Sequence, residues 1–190
     1  LWMIGLDEAG CGPAFGDLVA SAVSVPTNVL LNGVTDSKKM SEKKRSIFYK
    51  KICDECFFGI GKVTNKEIDS LGLGEARRLV FERALNDFEL KYPTFEMEKH
   101  IVDGTIYRQW KNVPYECIPK ADSIYIAVSA ASVIAKVTRD NDILNLCKDN
   151  PYLNEYYDIS SNKGYLTKSH KIGIAKHGKS VHHRLSYKIK

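Results

Sequence analysis

Apolar residues fall along this chain in short blocks separated by glycine, proline or charged runs. Residues 2–6 form one such block, the glycines at 10, 12 and 16 interrupt it, and a β-branched block resumes at 18–25 before Pro26. This pattern predicts two strands joined by a tight loop. The charged run from Ser41 opens a helix to about Cys56, with Ser41 as its N-cap; the residue three positions on is Lys44, so no capping box closes. Residues 57–64 read as a third strand. Helical spacing returns at 74–91 through Leu79, Val80, Arg83, Ala84 and Phe88, and Pro93 stops it. Residues 100–102 and 113–118 supply strands four and five, and 123–147 reads as a long helix whose Ala127, Ala130, Ala131 and Ala135 allow close packing on a sheet. Pro151 disfavours helix at Asn150.

Three consecutive strands, then strands alternating with helices, predict an α/β domain whose five-stranded mixed sheet begins antiparallel and continues parallel. No internal repeat is present. From Pro151 the chain turns to Asn, Ser, Lys, Tyr and His, so residues 1–150 are expected to form the main domain and 151–190 a C-terminal extension of it, with short helices and a substrate-facing loop.

Composition narrows the function classes. At 190 residues, 44% hydrophobic and 27% charged, the chain suits one globular core. No apolar run approaches the roughly eighteen residues of a membrane span, and no signal-peptide pattern opens the chain. A soluble, intracellular, cytoplasmic protein without a membrane partner is expected, with a nuclear or viral-replication setting left open. Leu1 and Trp2 precede Met3 and carry no weight. Five cysteines, an odd number, do not suggest a disulfide framework. A formal charge of +5 permits nucleic acid without requiring it.

The chemistry lies in four acids. Asp7 and Glu8 are adjacent, Asp103 stands in Ile-Val-Asp-Gly and Asp122 in Lys-Ala-Asp-Ser, each following or ending an apolar stretch. Carboxylates at the ends of buried strands would converge in one electronegative basket suited to Mg²⁺ or Mn²⁺. That arrangement serves metal-assisted phosphodiester cleavage. Adjacent carboxylates repel, and strand side chains alternate faces, so a cation or a strand-end bend is expected to reconcile Asp7 with Glu8. An isolated Asp-Glu pair would ordinarily be a solvated acidic turn.

Other signals carry less. Glycines 10, 12 and 16 after a strand suggest a dinucleotide fingerprint, but the second interval is one residue too long, Pro13 interrupts, and a strand follows where a helix should open. Cys53 and Cys56 have C-x-x-C spacing inside a helix with no second pair, which favours packing over zinc. His170, His177, His182 and His183 are read as phosphate contacts, exposed groups or local packing in preference to catalysis.

Taken together, Gly5-Leu-Asp-Glu-Ala-Gly-Cys-Gly-Pro-Ala-Phe-Gly, Asp36-Ser-Lys-Lys, Val102-Asp-Gly, Lys120-Ala-Asp, Ser129-Ala-Ala-Ser-Val-Ile-Ala-Lys-Val-Thr-Arg-Asp, Lys163-Gly-Tyr-Leu-Thr with His170 beyond, and His183-Arg resemble the ribonuclease HII family. The resemblance spans residues 5 to about 187 in the right order. It implies an RNase H-like sheet flanked by helices, with a C-terminal helical extension. It also implies that Asp7, Glu8, Asp103 and Asp122 are the catalytic acids that hold Mg²⁺ or Mn²⁺. The implied activity is metal-dependent cleavage of the RNA strand of RNA/DNA hybrids, and of ribonucleotides embedded in duplex DNA, by a monomer that leaves 3′-hydroxyl and 5′-phosphate ends.

By the same resemblance, Gly10, Cys11 and Gly12 approach the backbone at the RNA-to-DNA junction, and Tyr165 stacks on the sugar there. Ser37 and Lys38 contact phosphate, and Lys136 and Arg139 lie near the substrate. The family typically has Arg between the two glycines where this chain has Cys11, so a guanidinium contact is lost and single-ribonucleotide recognition is put in question. Two other classes stay in view: a hybrid-binding module that does not cut, which four intact acids argue against, and a nucleotide-binding oxidoreductase, which the glycine spacing argues against.

Overall fold

The computed structural model describes residues 3–190; Trp2, the first position of the expected first strand, lies outside the described residues together with Leu1. Five strands form one mixed sheet in the order β3-β2-β1-β4-β5. β1 (Met3–Ala9), β2 (Leu18–Ser24) and β3 (Phe57–Val63) pair antiparallel in succession. β4 (Lys99–Asp103) lies parallel to β1, and β5 (Tyr115–Ile118) parallel to β4. The change from antiparallel to parallel therefore falls on β1, the middle strand.

β2 is buried at every position because α3 (Leu73–Lys91) covers one face of the sheet and α4 (Ile126–Asp149) the other. A strand covered on both faces reads as an unbroken apolar run, which is how residues 18–24 look in the sequence. Along β1 the faces alternate. Ile4 and Leu6 pack with Val80, Phe81 and Ala84 of α3. Gly5 turns the other way, and a Cβ there would lie 2.3 Å from the Ala127 carbonyl carbon of α4. Close approach is equally tight on the α3 side, where a Cβ at Gly61 would stand 2.3 Å from the Val80 carbonyl oxygen.

α1 (Glu42–Glu55) begins at Ser41, whose Oγ accepts from the Lys44 N–H at 3.2 Å. Its Ile52, with Cys56 beyond it, packs against Ala130, Val133 and Ile134 of α4 with Cys53 alongside, and both cysteines are free thiols. α2 (Asn65–Leu71) is absent from the sequence reading although its signal is present. Thr64 Oγ1 accepts from the Glu67 N–H and the Glu67 carboxylate accepts from the Thr64 N–H, a closed capping box.

Two boundaries differ from expectation in ways that matter for the site. β1 does not end at Leu6; its pairing with β2 continues through Asp7↔Ser21 and Glu8↔Ala20 to Ala9↔Val19. α4 starts at Ile126, because Ala121–Ser123 form a separate 3₁₀ turn after Lys120, which is left-handed at φ 59. The long helix ends at Asp149 and Asn150 leaves helical geometry at ψ 77, as the following proline demands.

Beyond it, α5 (Tyr152–Tyr157), α6 (Ile159–Asn162) and α7 (Lys168–His177) gather around the end of α4, where Leu153, Tyr157 and Ile159 pack with Ile143, Cys147 and Phe15. The last segment then returns to the loop after β1, with the Gly16 N–H donating to the His182 carbonyl at 2.9 Å and the Arg184 N–H to the Ala14 carbonyl at 2.8 Å. No helix among the described residues is long and apolar enough to cross a membrane.

A buried histidine pair ties this extension together. His170 Nδ1 faces the Tyr165 carbonyl at 2.7 Å and so carries the hydrogen. Its Nε2 then accepts from His183 Nε2 at 2.9 Å, and His183 Nδ1 accepts from the Ser180 N–H at 2.9 Å. That chain of bonds requires both rings neutral. Burial, reinforced by His170 and Lys179, pushes His183 down to about 3, and burial alone pushes His100 down to about 4. The folded state thus binds fewer protons than the unfolded chain, whose histidines titrate near about 6.5, and each group's contribution to stability is lost as pH falls below that value, by up to about 1.4 kcal/mol per pH unit. Imidazole NMR signals of His100 and His183 should show no titration between about pH 8 and pH 5; a midpoint near the ordinary value of about 6.5 would contradict the network.

Candidate active site

Every residue to which the family resemblance gives a role at the site lines one cleft at the C-terminal ends of β1 and β4: Asp7, Glu8, Gly10, Cys11, Gly12, Ser37, Lys38, Asp103, Asp122, Lys136, Arg139 and Tyr165. Ligands in open α/β sheets bind at such ends. Asp7 lies inside β1, Asp103 is the last residue of β4, and Asp122 belongs to the 3₁₀ turn that follows β5. Each offers a carboxylate oxygen within 4.8 Å of the others'. Asp103 is fixed by the Ala121 N–H, which donates to its Oδ1 at 3.0 Å, and Asp7 accepts from the Glu8 N–H at 2.8 Å.

Burial, together with repulsion from Glu8, Asp103 and Asp122, raises Asp7 well above the usual carboxylate range. Burial and the neighbouring Asp103 and Asp36 push Asp122 up to about 6. Crowded, desolvated carboxylates of this kind are destabilised by their own charge, and a hard divalent cation relieves it. The all-oxygen donor set therefore fits Mg²⁺ or Mn²⁺.

Glu8 is placed differently. It follows Asp7 along an unbroken strand and faces α3, so strand alternation and not a bend separates the adjacent acids. Its Oε1 accepts from Arg77 Nη2 at 2.8 Å and from Cys11 Sγ at 3.4 Å, while Oε2 is buried with no hydrogen-bond partner among the described residues. Burial raises its pKa, with Arg77 and Cys11 opposing. Among the described residues, the acids whose carboxylate oxygens all lie within 4.8 Å of one another are the three aspartates.

The glycine loop is held from beneath by two buried arginines. Arg139, on α4, donates to the carbonyls of Asp17, Lys163 and Phe15 at 3.0, 2.9 and 2.8 Å. Arg184 donates to the carbonyls of Gly16 and Pro13 at 2.9 and 2.8 Å, and more weakly to that of Cys11 at 3.3 Å. Arg139, expected near the substrate, is thus a brace of the cleft floor, only 3% exposed. Gly10, at φ +101, is where that brace passes: a Cβ there would fall 2.4 Å from Arg139 Nε. A Cβ at Gly12 would lie 3.2 Å from the ring of Tyr165, which is 46% exposed beside the loop.

Ser37 is buried, its N–H donating to Ser132 Oγ at 3.1 Å and its own Oγ accepting from that hydroxyl at 2.8 Å. Lys38 reaches the cleft from the same 3₁₀ turn, Ser37–Lys39. Burial alone would lower its pKa, but Asp36, Asp7, Tyr165 and Asp122 together hold it above its ordinary value, so it stays charged. Cys11 is a neutral thiol, pushed up to about 12 by burial and by Glu8. In the sequence nothing but its place in a helix distinguishes Arg77, and Arg184 stands in the His183-Arg pair with no local signal of its role as a brace.

A mixed sheet with three aspartates gathered at the ends of its parallel strands β1 and β4 has a layout that suits a nuclease working with a divalent cation. The family model for Ribonuclease HII matches residues 4–190. A ribonuclease HII of Trichodesmium erythraeum is 40% identical, the alignment covering 96% of this chain and 85% of that protein. Ribonuclease H2 from Pyrococcus horikoshii superposes with a TM-score of 0.77 at 25% identity, covering 98% of this chain and 94% of that one. Bst-RNase HIII, solved in complex with Mn²⁺, shares the fold with a TM-score of 0.72 at 21% identity, over 94% of this chain and 70% of that one. The chain belongs to the ribonuclease HII family. It is a ribonuclease H, an endonuclease that hydrolyses phosphodiester bonds in RNA/DNA hybrids.

Proposed function

We propose that this enzyme cuts the RNA strand of hybrids and also ribonucleotides embedded in duplex DNA, leaving 3′-hydroxyl and 5′-phosphate ends. The observation that carries the reading is the meeting of the three-aspartate cluster with the 10–12 loop and Tyr165 in one cleft. Asp7, Asp103 and Asp122 would hold Mg²⁺ or Mn²⁺, with Glu8 beside them. A divalent cation there supplies a nucleophilic water at neutral pH and stabilises charge on the phosphoryl oxygens.

This chain's own groups do the rest. Lys38, kept cationic by its carboxylate neighbours, neutralises a substrate phosphate. The backbone of residues 10–12 approaches the sugar closely, where it can read the 2′-hydroxyl that distinguishes RNA from DNA. Tyr165 offers an exposed ring against that loop for the sugar at the junction. Arg139 and Arg184 keep the loop in place.

A narrower reading rests on Cys11: an uncharged thiol occupies the middle of the loop, and an enzyme limited to runs of ribonucleotides would follow if a cation were required there. Three labelled duplexes decide, one all-DNA, one with a single ribonucleotide and one with a run of four, each in Mg²⁺, Mn²⁺ and EDTA. Both ribose-containing duplexes should be cut in metal and neither in EDTA, with the all-DNA duplex intact. Cutting of the run alone selects the narrower reading, and no cutting in either metal refutes both.

A further inference from the structure

We infer that Tyr187 is a positioning residue that sets ribose specificity: its hydroxyl draws the Cys11 carbonyl beneath the 10–12 loop and so turns the Gly12 N–H into the cleft, toward the 2′-hydroxyl of a ribonucleotide. This rests on the reading of that loop as the part that tells ribose from deoxyribose.

Cys11 stands between two glycines, so sterics leave the peptide that joins it to Gly12 free to turn, and hydrogen bonds must fix it. Two donors meet its carbonyl. The Tyr187 hydroxyl donates at 2.5 Å, whereas Arg184 Nη1 stands at 3.3 Å and gives its better bond, 2.8 Å, to the Pro13 carbonyl. Tyr187 is therefore the principal anchor. The peptide bonds of the described residues are all trans, so the Gly12 N–H points opposite to that carbonyl, away from the braces. Gly12 is exposed and lines the cleft, and its N–H makes no hydrogen bond among the described residues. An unpaired donor held in one direction beside the Tyr165 ring suits an oxygen of the sugar.

The hydroxyl is delivered by a turn that the fold holds on both sides. Asp69 of α2 accepts from the N–H groups of Leu185 and Ser186, both at 2.9 Å, and from Ser186 Oγ at 2.6 Å. Lys179 Nζ donates to the carbonyls of Tyr187, Arg184 and Leu185 at 2.8, 3.2 and 3.3 Å. The ring is half-buried against the same apolar cluster as Cys11, with the Arg184 guanidinium carbon 5.1 Å from its centroid. A phenyl ring would pack as well in this place. What the hydroxyl adds is one bond, to the carbonyl whose peptide presents the free N–H.

The test is Tyr187→Phe beside the parent enzyme. Fluorescence anisotropy in EDTA, so that nothing is cut, compares binding of a duplex carrying one ribonucleotide with binding of the same duplex as all-DNA; kcat and KM on the first duplex are then measured in Mg²⁺. The parent should prefer the ribonucleotide duplex, and Tyr187→Phe should lose about threefold or more of that preference. The loss should reappear as a KM raised by about the same factor. Partial unfolding would weaken binding to both duplexes alike and leave their ratio unchanged, so it cannot imitate this result. A loss of preference below about threefold, or one that leaves KM unchanged, overturns the inference. A parent that binds the two duplexes equally would refute the reading of the loop itself, and the inference with it.

Discussion

Asp7→Asn should remove hybrid cleavage by about 10³-fold or more while the protein melts at the same temperature or higher. The two effects share one cause. Asp7 is 6% exposed and its carboxyl is raised far above the ordinary range, by burial first and then by Glu8, Asp103 and Asp122. A carboxylate whose folded-state value exceeds its unfolded one lowers stability once it ionises, so at neutral pH the charge on Asp7 opposes folding. The neutral amide keeps the shape and removes that repulsion, and with it a charge that attracts the cation. Cleavage assays with thermal melts in EDTA read both sides of the exchange. Near-normal turnover by folded, pure Asp7→Asn protein would overturn the assignment of the cluster, and a fall in melting temperature would show that the charge is compensated in some other way.

Arg184→Met should destabilise the protein by about 3–5 kcal/mol, which for a chain of this size lowers the melting temperature by about 10 °C. Arg184 is fully buried, and its Nε and Nη1 donate to the carbonyls of Gly16 and Pro13. Nη1 also donates to the Tyr187 hydroxyl, which in turn donates to the Cys11 carbonyl at 2.5 Å. Methionine fills much of the volume but leaves these carbonyls buried without a donor. Because the loop they belong to lines the cleft, hybrid binding should weaken as well. Arg184→Lys should recover little, since a single ammonium cannot reproduce the fork that serves two carbonyls at once. A melting temperature within about 2 °C of the parent for Arg184→Met would mean that water replaces the guanidinium and the loop is not held from below.

Some of this architecture could be read directly from the residues and some could not, and the division follows the range of the interactions. β2 and the long α4 announce themselves as an apolar run and a small-residue helix, because periodicity and size are local properties. The capping box of α2 is equally local, but Thr64 directly follows the last residue of β3 and the helix it opens is only seven residues long, so the strand pattern masks it. The four acids stand out because each borders an apolar block. Their meeting within one cleft depended on strand order, which pairs β1 with β4 across the 89 residues between Ala9 and Lys99, and such pairing leaves no mark in either strand.

The sequence by itself determined the five strands and the helices α1, α3 and α4 in their order, the break after α4 imposed by Pro151, and the positions of the acids. Only the tertiary structure decided which face of β1 each adjacent acid takes, because that depends on how far pairing with β2 continues. It also set Arg139, which lines the cleft, as a brace beneath the loop, and gave Arg77 and Arg184 their partners. A guanidinium is equally at home in solvent or against carbonyls, so its role is fixed by what the fold brings beside it, from residues that are remote along the chain.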